Sequence, residues 1–268
     1  MSNMMRVAAV QTVSGGDVAA NLVQVAELVA AAAGEGAQLI VLPEYFGILG
    51  ARATDKIAAK ENDGAGPQQD FLARMAREHR AFIVGGSVPI ASDESDRVKS
   101  ACLVYGPGGA RIARYDKIHL FRFAKGAEDY DELRTIVPGD DVVAFDTPCG
   151  RVGLSICYDV RFPELYRALG DCAILLVPAA FTATTGAAHW NLLLRTRAVE
   201  NQCYVLAAAQ GGLHPNGRRT WGHSMLVDPW GAILAEKDEG PGIVVGDVDP
   251  ARIAEVRSQL PALTHRVM

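Results

Sequence analysis

Short apolar runs alternate with amphipathic helical patterns along the whole chain, and this alternation restricts the fold more than any other feature. A strand is predicted at 6–11 and a helix at 21–33, which ends at two glycines. The run at 37–46 is almost entirely apolar, as is typical of a strand covered on both faces. The alternation therefore predicts an α/β fold in which helices cover the sheets.

The same scheme continues to the end of the chain. Prolines at the first helical position predict helices at 67–79, from Pro163 and from Pro250. Residues 122–141 form the one long, charged, irregular insertion, which we interpret as a loop that covers a site. We find no repeat and no linker, so one domain over residues 1–268 is expected. Further strands are predicted at 81–90, 100–109, 110–121, 151–157 and 172–181, and a further helix at 189–202.

Composition argues against several classes of partner. The net charge is −5 and basic residues are not clustered, so a nucleic-acid partner is not expected. No apolar run approaches the ~20 residues of a membrane span, and the first residues lack a secretory signal, so we expect a cytoplasmic protein without a membrane partner. The five cysteines show no CxxC and no metal-ligand spacing with histidine. Disulfides, a bound metal and a cofactor are therefore not predicted.

Three of the predicted strands carry a reactive side chain towards their ends: Glu44, Lys117 and Cys157. In open α/β sheets, ligands bind beyond the carboxyl ends of the strands. Each residue alone has an ordinary explanation, as a solvated carboxylate, a surface lysine or a small buried thiol. A carboxylate base, a cation and a thiol together predict a site for nucleophilic catalysis. The chain has no GxSxG elbow and no phosphate-binding loop, which disfavours serine hydrolases and P-loop enzymes.

The sequence around these side chains resembles the nitrilase superfamily of carbon–nitrogen hydrolases. The resemblance rests on LPEYF around Glu44, YDKIHLF around Lys117 and GLSICYDVRFPEL around Cys157, and it extends over nearly the whole chain through PAAFTATTGAAHW, RAVENQCYV, GHSMLVDPWG and LPALTHR. It implies a four-layer α-β-β-α sandwich, a Glu-Lys-Cys triad made by these three residues, and a homodimer or higher homo-oligomer.

The resemblance also implies a second glutamate close to the triad. Glu132 matches this position best, and Glu128 in the same loop remains an alternative. By position, Arg161 and Thr185 match residues that bind the keto-acid end of the substrate, and Tyr158 is assigned to substrate binding with them.

Other roles remain open for these positions and their neighbours. Arg161 could instead form a structural ion pair with Glu164 or Asp159, and either of two neighbouring threonines, Thr182 and Thr184, could replace Thr185. His189 and Trp190 are interpreted as structural residues at the start of a helix.

Within the superfamily, CYDVRFPEL and FTATTGAAHW resemble the branch that hydrolyses amides of 2-oxo dicarboxylates. The segment ENQCYVLAAAQGG followed by GRRTWGHSMLVDPWG is more similar to deaminated glutathione amidases than to ω-amidases. The resemblance therefore implies cleavage of deaminated glutathione to 2-oxoglutarate and cysteinylglycine through a thioester, a metabolite-repair reaction. The alternatives are an ω-amidase acting on 2-oxoglutaramate or 2-oxosuccinamate, a nitrilase, an N-carbamoyl amidase and, least expected, a non-catalytic scaffold.

Overall fold

The computed structural model describes residues 4–126 and 128–267. In these ranges the helices are α1 (Val18–Gly34), α2 (Asp55–Ala58), α3 (Pro67–His79), α4 (Pro163–Leu169), α5 (Ala183–Asn201) and α6 (Pro250–Gln259). Proline lies at the start of α3, α4 and α6, where its missing N–H costs no helical hydrogen bond. The side chains of Asp17 and Thr182 accept backbone hydrogen bonds at the starts of α1 and α5.

Strands make up two large sheets and two small hairpins. In chain order the strands are β1 (Met5–Gln11), β2 (Leu39–Leu42), β3 (Phe82–Gly85), β4 (Val88–Ala91), β5 (Val98–Tyr105), β6 (Arg111–Asp116), β7 (Arg122–Lys125), β8 (Glu128–Asp131), β9 (Ala144–Thr147), β10 (Gly150–Leu154), β11 (Ile174–Ala179), β12 (Tyr204–Ala209), β13 (Gly211–Leu213), β14 (Arg219–Trp221), β15 (Ser224–Val227), β16 (Ile233–Lys237) and β17 (Gly242–Val248).

The first sheet has the order β17-β1-β2-β3-β5-β4, with β6 also paired to β5, and the second has the order β16-β15-β12-β11-β10-β9. Each sheet has a parallel centre, formed by β1, β2 and β3 in the first and by β10, β11 and β12 in the second. The remaining pairs are antiparallel. The parallel centres are buried on both faces, which explains their continuous apolar sequences.

The two sheets pack face to face, and helices cover their outer faces. Side chains alternate along β1, so that Val7 and Ala9 join the core that includes the second sheet, whereas Ala8 and Val10 join the core formed with α1 and α3. On the other side, Trp190 and its neighbours on α5 are buried with the strands of the second sheet. The predicted four-layer α-β-β-α sandwich is confirmed.

Several predicted boundaries differ from the structure. The strand predicted at 37–46 ends at Leu42, because Pro43 has no N–H to continue the ladder. The strand predicted at 81–90 is two strands, β3 and β4, separated at Gly86. Gly86 has φ of 33°, and a Cβ there would lie 1.9 Å from the Pro43 carbonyl oxygen, so only glycine fits.

Two further predictions about local structure were wrong. The helix predicted at 189–202 begins at Ala183, because Thr182 caps it. The insertion at 122–141 is not irregular throughout, since it contains the hairpin β7–β8 and the short 3₁₀ turn Glu132–Arg134. The predicted single domain includes residues 1–3, 127 and 268, which lie outside the described residues, and it stays a prediction. No helix in the described ranges is long and apolar enough to cross a membrane.

Candidate active site

The structure brings Glu44 and Lys117 together between the ends of two strands of the first sheet. Glu44 lies two residues beyond β2 and Lys117 directly follows β6. Lys117 Nζ donates to Glu44 Oε1 at 2.7 Å, and the two side chains are 0% and 1% exposed. Burial alone would lower the pKa of Lys117, but the Glu132 and Glu44 carboxylates hold it well above its ordinary value. Lys117 is therefore a fixed cation.

Glu44 has hydrogen-bond partners on both carboxylate oxygens. Its Oε2 accepts from the backbone N–H of Ala180 at 2.9 Å, just beyond strand β11 of the second sheet. The backbone carbonyl oxygen of Glu44 accepts from Gln210 Nε2 at 3.0 Å. Contacts from both sheets thus hold the carboxylate in one orientation.

Cys157 lies three residues beyond β10 of the second sheet and begins the 3₁₀ turn Cys157–Arg161, and its backbone adopts the left-handed region with φ of 52°. For a residue with a side chain this conformation is uncommon and often marks a functional site. Cys157 is 7% exposed and borders a small pocket. The other residues lining this pocket are Phe121, Tyr158, Ala180, Phe181, Thr182 and Thr185. The sharp turn lets the thiol reach this pocket.

The Cys157 thiol interacts electrostatically with the ion pair of the first sheet. Burial and then the Glu44 charge raise the pKa of the thiol well above its ordinary value, while Lys117 and the Ala180 N–H act in the opposite direction. The resting side chain is therefore a neutral thiol beside a carboxylate. Glu44, Lys117 and Cys157, which the sequence predicted from separate strands, share one site.

Glu132 joins this site and Glu128 does not. Both Glu132 oxygens accept from Lys117 Nζ, at 3.0 and 2.7 Å, and they also accept from the Tyr45 hydroxyl and the Phe121 N–H, each at 2.7 Å. Burial would raise the pKa of Glu132, but the charges of Lys117 and Lys56, with the hydrogen bonds from Lys117 and the Phe121 N–H, lower it to about 2. The Glu128 carboxylate instead accepts from the Thr184 hydroxyl at 2.6 Å. Geometry thus favours Glu132 as the second glutamate.

Arg161 packs against two aromatic residues that line the thiol pocket. Its guanidinium is 5.6 Å from the centre of the Tyr158 ring and 5.3 Å from that of Phe181, and its Nη1 is 3.3 Å from His189 Nδ1. In the part of the chain that the structure describes, no carboxylate forms a salt bridge with Arg161, so the alternative ion pair with Glu164 or Asp159 is absent. The guanidinium remains able to bind an anion.

The threonines at the start of α5 have different surroundings. The Thr185 hydroxyl is buried and lies 2.9 Å from that of Thr182, and both residues line the thiol pocket. Thr184 points to Glu128 instead. Trp190 is buried, and its Nε1 donates to the His223 carbonyl at 2.8 Å, as a structural residue would.

The sequence did not reveal the structural role of Asp159, which is completely buried in the turn that begins at Cys157. Its Oδ2 accepts from the Tyr115 hydroxyl at 2.7 Å and from the Ile156 N–H at 2.8 Å. Its Oδ1 accepts from the His119 N–H at 3.0 Å and lies 2.8 Å from His119 Nδ1. Asp159 therefore joins the turn that carries Cys157 to the segment that carries Lys117. An aspartate two residues after the cysteine was the only available signal.

A larger cavity of about 340 Å³ adjoins the site. Tyr45 and Glu132 form part of its wall, and Phe121 lines both this cavity and the thiol pocket. Lys56 and Arg218 also line this cavity, and no sequence pattern had indicated either of them. Burial lowers the pKa of Lys56, and the Glu132 charge partly offsets this. Substrate atoms beyond the reacting bond have room here.

A neutral thiol beside a buried carboxylate and a fixed ammonium can perform acyl transfer. The carboxylate can accept the thiol proton, the sulfur can attack an acyl carbon, and the ammonium can stabilise negative charge on oxygen.

Comparison with known proteins agrees with this chemistry. The carbon–nitrogen hydrolase family profile matches residues 6–258.

Two curated relatives cover nearly the whole chain. A deaminated glutathione amidase from Synechocystis sp. is 42% identical over 266 residues, which is 97% of each chain. Omega-amidase NIT2 from Homo sapiens is 39% identical over 250 residues, covering 92% of this chain and 89% of the relative.

Solved structures show the same architecture. Nit3 from Saccharomyces cerevisiae, described as a member of branch 10 of the nitrilase superfamily, aligns with a TM-score of 0.88 and 31% identity, covering 99% of this chain and 97% of its own. A glutamate-to-glutamine variant of an amidase from Nesterenkonia sp. AN1 aligns with a TM-score of 0.80 and 27% identity, covering 96% of each chain. In that structure the acetamide moiety of fluoroacetamide is covalently attached to the active-site cysteine.

Proposed function

Because this chain belongs to the carbon–nitrogen hydrolase family, we propose that it is a cysteine amidase that cleaves deaminated glutathione to 2-oxoglutarate and cysteinylglycine. The observation that carries the proposal is the buried Glu44–Lys117 ion pair, which interacts with the Cys157 thiol beyond the strand ends of two facing sheets. The proposed catalytic residues are Glu44, Lys117 and Cys157, with Glu132 in support.

The first half of the reaction forms a thioester. Glu44 accepts the thiol proton as Cys157 Sγ attacks the amide carbon, so that a C–S bond forms and the carbonyl electrons move onto oxygen. Lys117 and the backbone N–H of Tyr158 stabilise this oxyanion; loss of one such donor typically costs roughly 3 kcal/mol of barrier. Glu44 then returns the proton to the amide nitrogen, the C–N bond breaks, and the amine leaves.

The second half releases the acid. Glu44 accepts a proton from water, which attacks the thioester carbon at the same oxyanion site. The C–S bond breaks and the proton returns to Cys157. The raised pKa of the Cys157 thiol suits this cycle. Between turnovers the thiol is neutral and does not repel the Glu44 carboxylate. Glu44 removes the thiol proton only as the C–S bond forms.

Glu132 serves the reaction by holding Lys117. Three carboxylate–ammonium contacts of 3.0 Å or less place Nζ between Glu132 and Glu44, so the ammonium cannot turn away from the reacting centre. The net charge of the three groups is −1, which favours the protonated lysine. Glu132 is thus a positioning residue in the proposed mechanism.

The keto-acid end of the substrate is proposed to bind opposite the leaving amine. Arg161 offers a planar guanidinium that can donate two hydrogen bonds to a carboxylate, and no carboxylate of the described chain occupies it. Thr185 and Tyr158 line the intervening pocket. These three residues would bind the 2-oxo acid that remains attached to Cys157.

The second candidate substrate is 2-oxoglutaramate, which the similarity to omega-amidase NIT2 favours. Steady-state kinetics on both substrates decides between them, with 2-oxosuccinamate, a nitrile and an N-carbamoyl amino acid as comparisons. We expect kcat/KM for deaminated glutathione to exceed that for 2-oxoglutaramate by tenfold or more. A ratio reversed by that amount would assign the chain to the ω-amidases, and preferential turnover of the nitrile or carbamoyl compound would reject both.

A non-catalytic scaffold on this fold is the remaining alternative, and it predicts an unreactive thiol. We expect iodoacetamide to alkylate Cys157 stoichiometrically, and deaminated glutathione to slow the alkylation. A Cys157 that never reacts while the folded protein turns over no amide would favour the scaffold.

We also propose that the enzyme is a cytoplasmic homodimer or higher homo-oligomer. All five cysteines are free, as is usual in a reducing compartment. Leu192 and Val199 on α5 and Trp230 in the adjacent turn are large apolar side chains that are 66%, 47% and 54% exposed. Such neighbouring apolar groups favour burial against a second copy. Light scattering after size exclusion should give a mass above that of one chain, whereas the monomer mass would reject this proposal.

A further inference from the structure

The cavity of about 340 Å³ adjoins the catalytic residues through Glu132, which lines it and contacts Lys117. In the proposed mechanism the leaving nitrogen receives its proton from Glu44. Glu132 and Tyr45 hydrogen-bond with each other in the wall of this cavity, and the Lys117 ammonium joins Glu132 to Glu44. The cavity therefore has room, close to the proton donor, for a leaving group larger than ammonia.

Charges around this cavity are unequally paired. Among the described residues, each carboxylate of the wall has a cation within 4.0 Å: Asp129 and Asp131 pair with Arg134, and Glu132 pairs with Lys117. Arg52, at the rim, pairs with Asp55. Lys56 and Arg218 form no salt bridge with any carboxylate of the described ranges. The wall therefore offers two cations to a ligand.

Arg218 is held in place next to the reacting centre. Its Nη2 donates to the Ala180 carbonyl at 3.3 Å, and Ala180 is the residue whose N–H donates to Glu44. The guanidinium lies 4.8 Å from the centre of the Tyr130 ring, and its Nε is buried with no hydrogen-bond partner in the part of the chain described. Because Arg218 lines the cavity and, among the described residues, only its Nη2 donates to the protein, the guanidinium has further N–H groups with which to bind an anion.

The backbone that carries Arg218 is also fixed. The His214 N–H donates to the Arg218 carbonyl at 2.9 Å, and His214 Nε2 lies 2.7 Å from the Thr220 hydroxyl. The Asn216 side chain donates to the carbonyl of Gly50, which lines the same cavity, at 2.7 Å. A cation on such a turn is preorganised, so binding an anion orders little additional structure.

We propose that Arg218, assisted by Lys56, binds a carboxylate on the leaving amine, so that this cavity selects amides of carboxylate-bearing amines, such as peptides, over primary amides. The inference rests on the proposed function, in which the leaving group is cysteinylglycine with a terminal carboxylate. Arg218 and Glu44 both hydrogen-bond to the backbone of Ala180. The cation therefore lies close to the proton donor, as a leaving dipeptide of at most about 7 Å requires. Arg161 and Arg218 would then bind the two ends of one substrate.

The test compares two substrates that differ only at the far end: deaminated glutathione with its free glycine carboxylate, and the same compound with a glycine carboxamide. We expect the intact enzyme to prefer the carboxylate by about tenfold or more in kcat/KM, the size of effect of a charge-assisted hydrogen bond. In Arg218→Gln this ratio should fall to within about threefold of unity. General damage to the site affects both substrates and cancels in the ratio.

Two further variants complete the design. Arg219→Gln removes the same charge from the next residue, whose side chain pairs with Glu239 outside this cavity, and it should keep the ratio of the unmodified enzyme. Lys56→Gln should lower the ratio less than Arg218→Gln does. A ratio near unity in the unmodified enzyme, or a ratio that Arg218→Gln leaves unchanged, would overturn the carboxylate site while the proposed function stands. Failure of the unmodified enzyme to cleave either compound would overturn both.

Discussion

The two sheets contribute different kinds of chemistry to the site. The first sheet supplies Glu44 and Lys117, whose charges are buried and paired with each other and with Glu132. The second sheet supplies a neutral thiol at Cys157 and the backbone N–H of Ala180. Buried charges need partners to be tolerated, whereas a neutral thiol needs only space and a suitable backbone turn. The first-sheet side should therefore contribute to both stability and catalysis, and Cys157 to catalysis alone.

Replacement of the second-sheet nucleophile should give the largest loss of activity. Cys157→Ala should lower kcat by more than ~10⁴-fold, because no other group can form the thioester. The free energy of unfolding should change by about 1 kcal/mol or less, since only one neutral atom is removed. Amide turnover and urea unfolding measure the two quantities. A strongly destabilised Cys157→Ala protein would contradict the division between the sheets.

Replacement of the first-sheet base should affect both quantities. Glu44→Gln should lower kcat by about 10³-fold through loss of the general base. It should also lower the free energy of unfolding by about 3 kcal/mol, because a buried ion pair is broken and the single amide oxygen cannot accept from both Lys117 and the Ala180 N–H. The same two assays apply, with Cys157→Ala as the matched control. A protein as stable as the parent would contradict the structural role of the charge.

Replacement of Glu132 tests the positioning of Lys117 and adds a pH dependence. Glu132→Gln should lower kcat by about 10²-fold, the cost of a misplaced group. The native pKa of Glu132 is lowered from 4.5 to about 2, so its stabilising contribution is complete above about pH 4.5 and is lost as the pH falls towards 2.

The stability difference between the parent and Glu132→Gln should therefore shrink as the pH falls below about 4.5. Urea unfolding of both proteins between about pH 6 and pH 3 measures this trend. A difference that stays constant over this range would mean that the contact with Lys117 does not lower the pKa of Glu132.

The smallest effect on activity is expected for Arg161, which lies outside the group of buried charges formed by Glu44, Lys117 and Glu132. Arg161→Lys keeps the charge but loses the two-pronged hydrogen bonding, and it should raise KM for 2-oxo acid amides by about tenfold while kcat and stability change little. Initial-rate kinetics on deaminated glutathione and 2-oxoglutaramate measure KM. An unchanged KM would remove Arg161 from substrate binding and would leave the comparison of the two sheets intact.

The sequence predicted the positions of the reactive side chains better than it predicted the residues that surround and hold them. Apolar runs followed by Glu44, Lys117 and Cys157 were recognisable, because buried strands and strand-end side chains leave local patterns. The roles of Asp159 and Arg218 were missed, because their contacts join segments that are distant in sequence: Asp159 contacts Tyr115 and His119, and Arg218 contacts Ala180. No local pattern carries such information.

Local structure was mispredicted where one contact decided the outcome. The helix predicted to begin at 189 begins at Ala183, because the Thr182 side chain accepts the Thr185 N–H. The break between β3 and β4 depends on the close approach of Gly86 to Pro43. Propensity rules describe neither contact, since each depends on the packed structure.

The central claim is that Cys157 carries the acyl group between the two half-reactions. Intact-mass and peptide mass spectrometry of the enzyme, quenched in acid within one turnover of deaminated glutathione, tests this directly. We predict one 2-oxoglutaryl group per chain, attached to Cys157 and absent from Cys157→Ala. Full turnover without any such adduct on the rapidly quenched enzyme, or an adduct at another cysteine, would contradict the account.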